Sequence, residues 1–464
     1  MTDRSSTGPG AGQADAIVVG AGAAGMMAAL SAAHHGARVL LLEKDLEGPS
    51  NLRVSGGLFP GAGTRWQQAA GVEDSAAAFA ADLRAKGGVA TNEAIVDAVA
   101  GRSADTAHFL ADVAGIPVHL MTEVVAPGHR VARLHATPAE SGRELLALMR
   151  AALRRFPAIE VVDRVETLGL ERDEGFAVAT RGGTYRAAAV VLATGGFAGS
   201  RELLKEFIPG VANALHSGAG PNDGCALRWG RALGAAVAMM DGYQGQGHVN
   251  TNGKTRLGMA LPPLGAFLCN RKGERFVNED IGPSALAAVE LAQPGGVALE
   301  VFDGRIHAIA LRQGPYREAW EAGAIVTAND PASLAKAAGL PAEAVAAFVA
   351  TYEQFAADTR AGKDAFGRTR FGEPLRAPLH AAWVTGSLAH TQGGLAVDAG
   401  ARVLKTDGSA IEGLYAAGGA AASLAGRGGE GYLPGNGLAQ SFALGLIAGE
   451  RIASVRASIR LRAR

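Results

Sequence analysis

Four residues carry the first chemistry that can be read from this chain. Gly20, Gly22 and Gly25 make a G-x-G-x-x-G loop, and Glu43 follows at the end of the next apolar run. Each part has a physical job. Gly20 permits a tight turn, Gly22 lets the backbone come close to a pyrophosphate, and Gly25 lets a helix pack closely on a strand. The N-terminus of that helix offers unpaired N–H groups and partial positive charge to phosphate oxygens. A carboxylate at Glu43 can accept hydrogen bonds from both hydroxyls of a ribose. The pattern predicts dinucleotide binding, and by itself fits FAD and NAD equally.

The elements that must position these residues are legible around them. Ala16 to Val19 is an apolar run that reads as a buried strand. An alanine-rich stretch after Gly22 reads as a helix that stops near Gly36. Val39 to Leu42 reads as a second buried strand. Together they form a strand–turn–helix–strand unit of about thirty residues ending in an acid.

Length and composition bound the rest. A chain of 464 residues is too long for one compact core, so two domains are expected. Hydrophobic residues make up 48% of it, as in ordinary globular proteins. The 65 glycines imply many tight loops. Basic and acidic residues balance at 44 each, which gives no electrostatic footprint for nucleic acid or an anionic membrane. No apolar run reaches the length of a membrane span. The first residues, M-T-D-R-S-S-T-G-P-G-A-G-Q, lack an apolar core and read as a disordered lead-in. Cys225 and Cys269 are isolated. Without C-x-x-C or C-x-x-C-H, an iron–sulfur cluster, a c-type haem and a cysteine zinc site are not expected. Two lone cysteines fit a cytoplasmic protein and read as small buried apolar residues.

Along the chain, 48–64 reads as loop, and helical patterns cover roughly 73–86, 92–114 and 139–156. Runs near 159–163 and 176–180, with a turn at Gly182-Gly183, suggest a small β unit. Ala188 to Ala193 reads as a buried strand ending in T-G-G-F. Asp223-Gly224 opens a helix to about Leu233. Residues 241–300 are rich in Gly, Asn and Pro and lack clear periodicity, and helical patterns return near 331–357. Residues 393–415 read as strand, turn at Asp407-Gly408, and strand. Leu438 to about Arg456 reads as the last helix. The expected architecture is α/β: a Rossmann-like dinucleotide-binding domain in two parts, 14–235 and 373–464, with an α+β substrate or capping domain inserted at 236–372.

Several segments in order carry a resemblance. They are the N-terminal glycine loop, S-N-x-x-x-S-G-G at 50–57, V-V-L-A-T-G-G-F at 190–197 and G-x-x-D-G at 220–224. They continue with G-E-R-F-V-N-E at 273–279, H-T-Q-G-G-L at 390–395, G-L-Y-A-A-G-G at 413–419 and G-N-G-L at 435–438. From about 15 to 455 the chain resembles the fumarate reductase/succinate dehydrogenase flavoprotein superfamily, which also holds 3-ketosteroid dehydrogenases. The resemblance implies FAD, and it implies a set of residues that hold it. From the first half these are Gly20, Gly22, Ala23, Ala24, Gly25, Glu43, Lys44, Asn51, Ser55, Gly56, Gly57, Ala193, Thr194, Gly195 and Asp223. From the last segments they are Gly418, Gly419, Asn436, Gly437 and Leu438. Gly419 stands where many relatives carry Glu, which removes one side-chain contact. Respiratory members tether FAD to a histidine before the double glycine. That position here is Ser50, so non-covalent FAD is expected.

The same resemblance frames the chemistry. Fumarate reductases clamp a dicarboxylate with arginines and histidines, whereas ketosteroid dehydrogenases polarise a ketone with a tyrosine hydroxyl and a backbone amide. The fumarate reductase pattern R-L-G-G-N is replaced here by Tyr432-Leu433-Pro434-Gly435-Asn436, and the arginine after R-F-V-N-E is absent. A buried carboxylate without its partner costs several kcal/mol. Tyr432 with the amide near Gly435 would instead form an oxyanion site, in which one donor typically contributes about 2.7–4 kcal/mol. The catalytic tyrosine of ketosteroid dehydrogenases after N-E-x-x-P has no match: Pro283 is followed by Ser284. Asp280, Tyr243 and His248 are candidate bases by position. His390 matches a substrate-site histidine of fumarate reductases, or caps its loop. Arg305 falls near the family's acid arginine, or makes a surface ion pair. Arg133 and His135 resemble a loop facing the cleft, or are structural, and Tyr243 and Trp383 read also as core aromatics.

Three functions follow as expectations. The first is FAD-dependent desaturation of the CH–CH bond beside a ketone in a cyclic or apolar substrate. The second is reduction of an enoate, with Arg133, Arg305 or Arg427 replacing the missing clamp. The third is a flavin-binding redox partner without turnover. The expected partners are a small-molecule substrate and an external electron acceptor, such as a quinone, oxygen or another redox protein. No metal, nucleic acid or membrane span is expected.

Overall fold

The architecture starts from four-residue strands that are buried on both faces. In the computed structural model, which describes residues 14–88, 92–122, 125–252, 255, 257 and 261–462, β1 is Ala16–Val19, α1 is Ala23–His34 and β2 is Val39–Leu42. Every residue of both strands is buried, as continuous apolar runs in a parallel sheet require. The N-terminal lead-in read from the sequence lies outside the described residues.

The chain divides into two compact units. The first takes residues up to Leu203, Gly218–Tyr243 and from His390 onward, and the second takes Leu204–Ser217 and Gln244–Ala389. These limits differ from the expected insert at 236–372. The strand Leu379–Thr391 pairs with Ala298–Asp303 and with Leu215–His216, so the sheet of the second unit draws in segments on both sides of the expected boundaries.

In the first unit, six strands form one sheet in the order Arg402–Leu404, Ala410–Ala416, Ala189–Leu192, β1, β2, Ile159–Val162. All neighbours run parallel except the first pair. Ile159–Val162 is therefore an edge of the main sheet. The separate small β unit is instead the antiparallel trio Thr167–Arg172, Phe176–Thr180 and Gly183–Ala187. The segment read as loop at 48–64 also holds a short helix, Asn51–Val54, and a strand, Phe59–Pro60. Helix α1 lies beneath the last helix, Asn436–Arg462, and small residues set their separation. A Cβ on Gly445 would stand 2.6 Å from the Ala24 carbonyl oxygen, and one on Gly449 would stand 2.5 Å from the Ser31 Cβ.

The second unit packs helices on a mixed sheet whose members include Leu215–His216, Ala298–Asp303 and Phe267–Cys269. Leu268, Phe302, Tyr316, Phe348 and Phe355 sit in its core. The aperiodic region 241–300 contains strands Tyr243–Asn250 and Phe267–Cys269 and helix Pro283–Leu291. Those strands are buried almost throughout, so no alternation marks them. Both cysteines are free, and Cys269 is buried. Among the described residues no helix is long and apolar enough to cross a membrane.

Candidate functional site

Four parallel strands end in one row. Val19 registers with Leu42 and Leu192, and Leu192 registers with Ala416. The ladder runs one residue further: Gly20 N donates to Leu42 O at 2.8 Å, Ala193 N to Val19 O at 2.9 Å, and Ala417 N to Leu192 O at 3.0 Å. The segments that leave this row are the glycine loop, Glu43, A-T-G-G and A-G-G. The carboxyl ends of a parallel sheet are where such folds bind ligands.

The glycine loop is tight for stated reasons. Gly20 has φ +101° and leaves no room for a Cβ beside the Ala193 carbonyl, at 2.6 Å. A Cβ on Gly25 would lie 1.8 Å from the Gly20 carbonyl oxygen. At Gly22, by contrast, a Cβ would meet nothing within 4 Å. No side chain caps α1, so its first N–H groups keep their hydrogens for a ligand. The Glu43 carboxylate lies against this loop. Oε2 accepts from Ala21 N at 2.7 Å, and Oε1 accepts from Lys44 N at 2.8 Å and Asp45 N at 3.1 Å.

The opposite wall is built from backbone. The Gly196–Phe197 turn is pinned where Phe197 N donates to Thr391 Oγ1 at 3.0 Å. Gln440, buried on the last helix, donates from Nε2 to the carbonyls of Gly418 at 3.1 Å and Ala421 at 3.2 Å, and its Oε1 accepts from Leu424 N at 3.0 Å. Thr391 and Gln440 were not among the residues expected from sequence: Thr391 lies within H-T-Q-G-G-L without being singled out, and Gln440 lies outside every quoted segment. Asn436, at the start of the same helix, is 1% exposed, and neither its Nδ2 nor its Oδ1 has a partner. A buried amide of this kind calls for a ligand. The open space at Gly22, the uncapped helix, the Glu43 carboxylate and the orphaned Asn436 amide fit FAD.

A second corner gathers around Tyr432. Its ring stands edge-on to His390, with centroids 5.6 Å apart, and Gly437 lies against the His390 ring. Burial pushes the Tyr432 hydroxyl up to about 12, against the opposing pull of the Gly437 and Gly435 N–H groups on its oxygen. Burial also holds the His390 imidazole below its usual range, against its contact with the Thr391 carbonyl, so the ring is neutral near pH 7.

Other expected residues make the following contacts within the protein. Asn51 Oδ1 accepts from Ala219 N at 2.7 Å. Ser55 Oγ accepts from Gly57 N at 3.1 Å. Ser50 is the N-cap of its short helix. Asp223 is exposed and caps Cys225 N at 3.0 Å. Arg133 is fully buried between Asp74 and Asp82, with 2.7 Å to each. His135 is bonded to Thr64 Oγ1 at 2.9 Å, and Arg427 is exposed beside Asp241 at 3.5 Å. Tyr243 is buried.

Within the second unit, Asp280 Oδ2 accepts from Arg370 N at 3.1 Å, and its Oδ1 is buried without a partner. Arg305 donates to the Leu264 carbonyl at 2.9 Å. Trp383 donates to the Ala338 carbonyl at 2.7 Å. His248 sits 3.1 Å from Glu300, both buried.

The sequence profile of the FAD binding domain family matches residues 15–438. A probable fumarate reductase, Ifc3, of Shewanella frigidimarina (strain NCIMB 400) is 30% identical over 455 residues, covering 94% of this chain and 74% of the relative. A 3-oxosteroid 1-dehydrogenase of Mycobacterium tuberculosis is 31% identical over 273 residues, covering 51% of this chain and 48% of its own. A 4-oxocyclohexanecarboxylate 2-dehydrogenase of Sinomonas cyclohexanicum is 27% identical over 545 residues, covering 95% and 92%. The open conformation of a flavocytochrome c3 fumarate reductase superposes with a TM-score of 0.79 at 27% identity, covering 95% of this chain and 78% of that one.

Proposed function

Because the chain belongs to the FAD-binding domain family, as an FAD-dependent oxidoreductase of the fumarate reductase and ketosteroid dehydrogenase group, we propose that it desaturates the CH–CH bond beside a ketone in a cyclic or apolar substrate. The observation that carries this reading is the Tyr432 ring set edge-on to His390, with Gly437 of the last helix against the same imidazole. Bound FAD supplies the two-electron acceptor for such chemistry. Tyr432 donates its hydroxyl proton as a hydrogen bond to the ketone oxygen. A carbonyl so polarised makes the neighbouring C–H acidic. Its proton passes to a base, for which Tyr243 in the same unit is a candidate. The enolate that develops is stabilised where the donor already points. Neutral His390 adds no charge that would favour a carboxylate.

The alternative, reduction of an enoate, draws support from the fumarate reductase relative. It needs a cationic clamp, and the Arg133 guanidinium is already occupied by Asp74 and Asp82. Two relatives named for activity on oxo compounds, an oxosteroid and an oxocyclohexanecarboxylate, support a ketone. We propose that an external acceptor, a quinone, oxygen or another redox protein, reoxidises the flavin. We also propose that FAD is held without a covalent bond, Ser50 offering no imidazole, so acid precipitation leaves the flavin in the supernatant.

Anaerobic mixing tests the reading. Cyclic ketones bleach the oxidised flavin if the first reaction holds. If only enoates reoxidise the dithionite-reduced protein and no ketone bleaches it, the proposal fails in favour of the second.

A further inference from the structure

We propose that His129 is a positioning residue that holds the Pro434–Gly435 peptide, which follows Tyr432 and leads into the last helix. The inference rests on the reading of Tyr432 as the carbonyl-polarising group, and it adds a residue that no glycine motif or family pattern assigned. The Pro434 carbonyl and the Gly435 N–H belong to one planar peptide. Whatever fixes the carbonyl fixes the direction of the N–H. His129 Nε2 lies 2.9 Å from Pro434 O, and its Nδ1 lies 3.0 Å from Arg133 Nη1.

These two contacts determine the tautomer. Arginine can only donate, so Nδ1 accepts and the ring proton sits on Nε2, which donates to the Pro434 carbonyl. Arg133 itself cannot turn away. Its Nε and Nη2 hold both oxygens of Asp74 at 2.7 and 2.8 Å, and its Nη1 holds Asp82 at 2.7 Å. Phe79 stacks on the His129 ring with centroids 6.1 Å apart. Burial keeps the imidazole below its ordinary range, against the pull of the Pro434 carbonyl, and the Arg133 charge adds to this. The ring is therefore neutral, with one donor and one acceptor, both used.

The peptide needs such a hold. Gly435 has φ +87°, a torsion that glycine leaves readily for others, and Pro434 has no N–H of its own to anchor the turn. A hydrogen bond to a carbonyl also strengthens the N–H of the same peptide as a donor. His129 thus sets both the direction and the strength of the Gly435 amide, three residues after Tyr432.

The test reads the Gly435 amide in the FAD-loaded full chain. Labelling with ¹³C-carbonyl proline and ¹⁵N-glycine leaves only Pro–Gly peptides visible by NMR, and Gly435→Ala identifies the signal. In His129→Phe, which keeps the stacking on Phe79 but cannot donate, we expect the Gly435 amide proton to move upfield and to exchange with solvent about tenfold faster. We expect kcat on a cyclic ketone to fall about tenfold, with KM and FAD content little changed. His129→Gln, whose amide reaches the same carbonyl, restores part of both. An unmoved Gly435 signal in His129→Phe overturns the proposal, as does lost turnover with an unmoved signal. If His129→Phe fails to load FAD, His129→Asn is read in its place against His129→Gln. Should the wild-type protein turn over no ketone, the function proposed for Tyr432 fails, and the NMR comparison still decides the role of His129.

Discussion

Tyr432 stands edge-on to His390, with ring centroids 5.6 Å apart and planes at 73°. Gly437, at the start of the last helix, lies against the same His390 ring. Replacing Tyr432 with Phe keeps the ring and this edge contact and removes only the hydroxyl. FAD content is expected to stay at the wild-type level, while ketone turnover falls by about 10²–10³. Wild-type turnover in the variant would take Tyr432 out of the site.

The glycine loop makes a paired prediction. A Cβ on Gly25 would lie 1.8 Å from the Gly20 carbonyl oxygen, so Gly25→Ala must push α1 off the sheet. Overpacking of this kind costs about 1–3 kcal/mol or more, and a lower melting temperature together with loss of FAD is expected. A Cβ on Gly22 meets no protein atom. Gly22→Ala is therefore expected to fold normally and to bind FAD about 10- to 100-fold more weakly, as lost phosphate hydrogen bonds would cause. Equal behaviour of the two variants, in melting and in flavin titration, would contradict the assignment of Gly22 to the ligand and Gly25 to packing.

How far the sequence reached follows from where its signals are local. The G-x-G-x-x-G unit, β1, α1 and β2 were legible because short buried strands and a glycine turn announce themselves within about thirty residues. The long last helix was legible from its start at the G-N-G-L segment. The strand Ile159–Val162 was legible as a strand but misplaced, since pairing with β2 across more than a hundred residues leaves no local mark. Residues 241–300 were opaque because their strands are buried almost throughout and carry no alternation. At the site, Gly435 and Tyr432 were found through a motif. Gln440, Thr391 and His129 were missed, because each acts through a backbone carbonyl or amide distant in sequence.

Arg133 offers a test between a structural role and a substrate clamp. Its guanidinium and the Asp74 side chain are 0% exposed and Asp82 is nearly so. Arg133→Met removes the cation, leaving buried Asp74 with only the neutral donors Gln67 Nε2 and Ser75 N and leaving Asp82 to Arg130 alone. The expected loss is about 3–5 kcal/mol of stability, seen as a lower melting temperature, and it is partly relieved by adding Asp74→Asn. A variant that melts like wild type but loses activity only toward enoates would show that Arg133 binds substrate after all.

The second unit buries a histidine between two acids, and its pH response has a definite sign. His248 lies 3.1 Å from Glu300, and both are buried, as is Glu290. Burial alone would lower the His248 imidazole, but Glu300 outweighs it, with Glu290 adding, and raises it to about 9. Burial raises the Glu290 carboxyl to about 7, against the charge of His248. Both groups bind their protons more tightly folded than unfolded. The stability from His248 is full below its unfolded value of 6.5 and is lost as pH rises through about 9. The part linked to Glu290 is full below 4.5 and is lost as pH rises through about 7. Melting temperature is therefore expected to fall steadily between pH 5 and 9. Glu290→Gln keeps the shape, cannot ionise, and should remove the lower-pH part of that fall, raising stability at pH 8 by on the order of 1–3 kcal/mol. Hydrogen exchange of the strand Ala298–Asp303 would locate the effect. A melting temperature as flat in wild type as in Glu290→Gln would show that His248 and Glu290 do not titrate in this way.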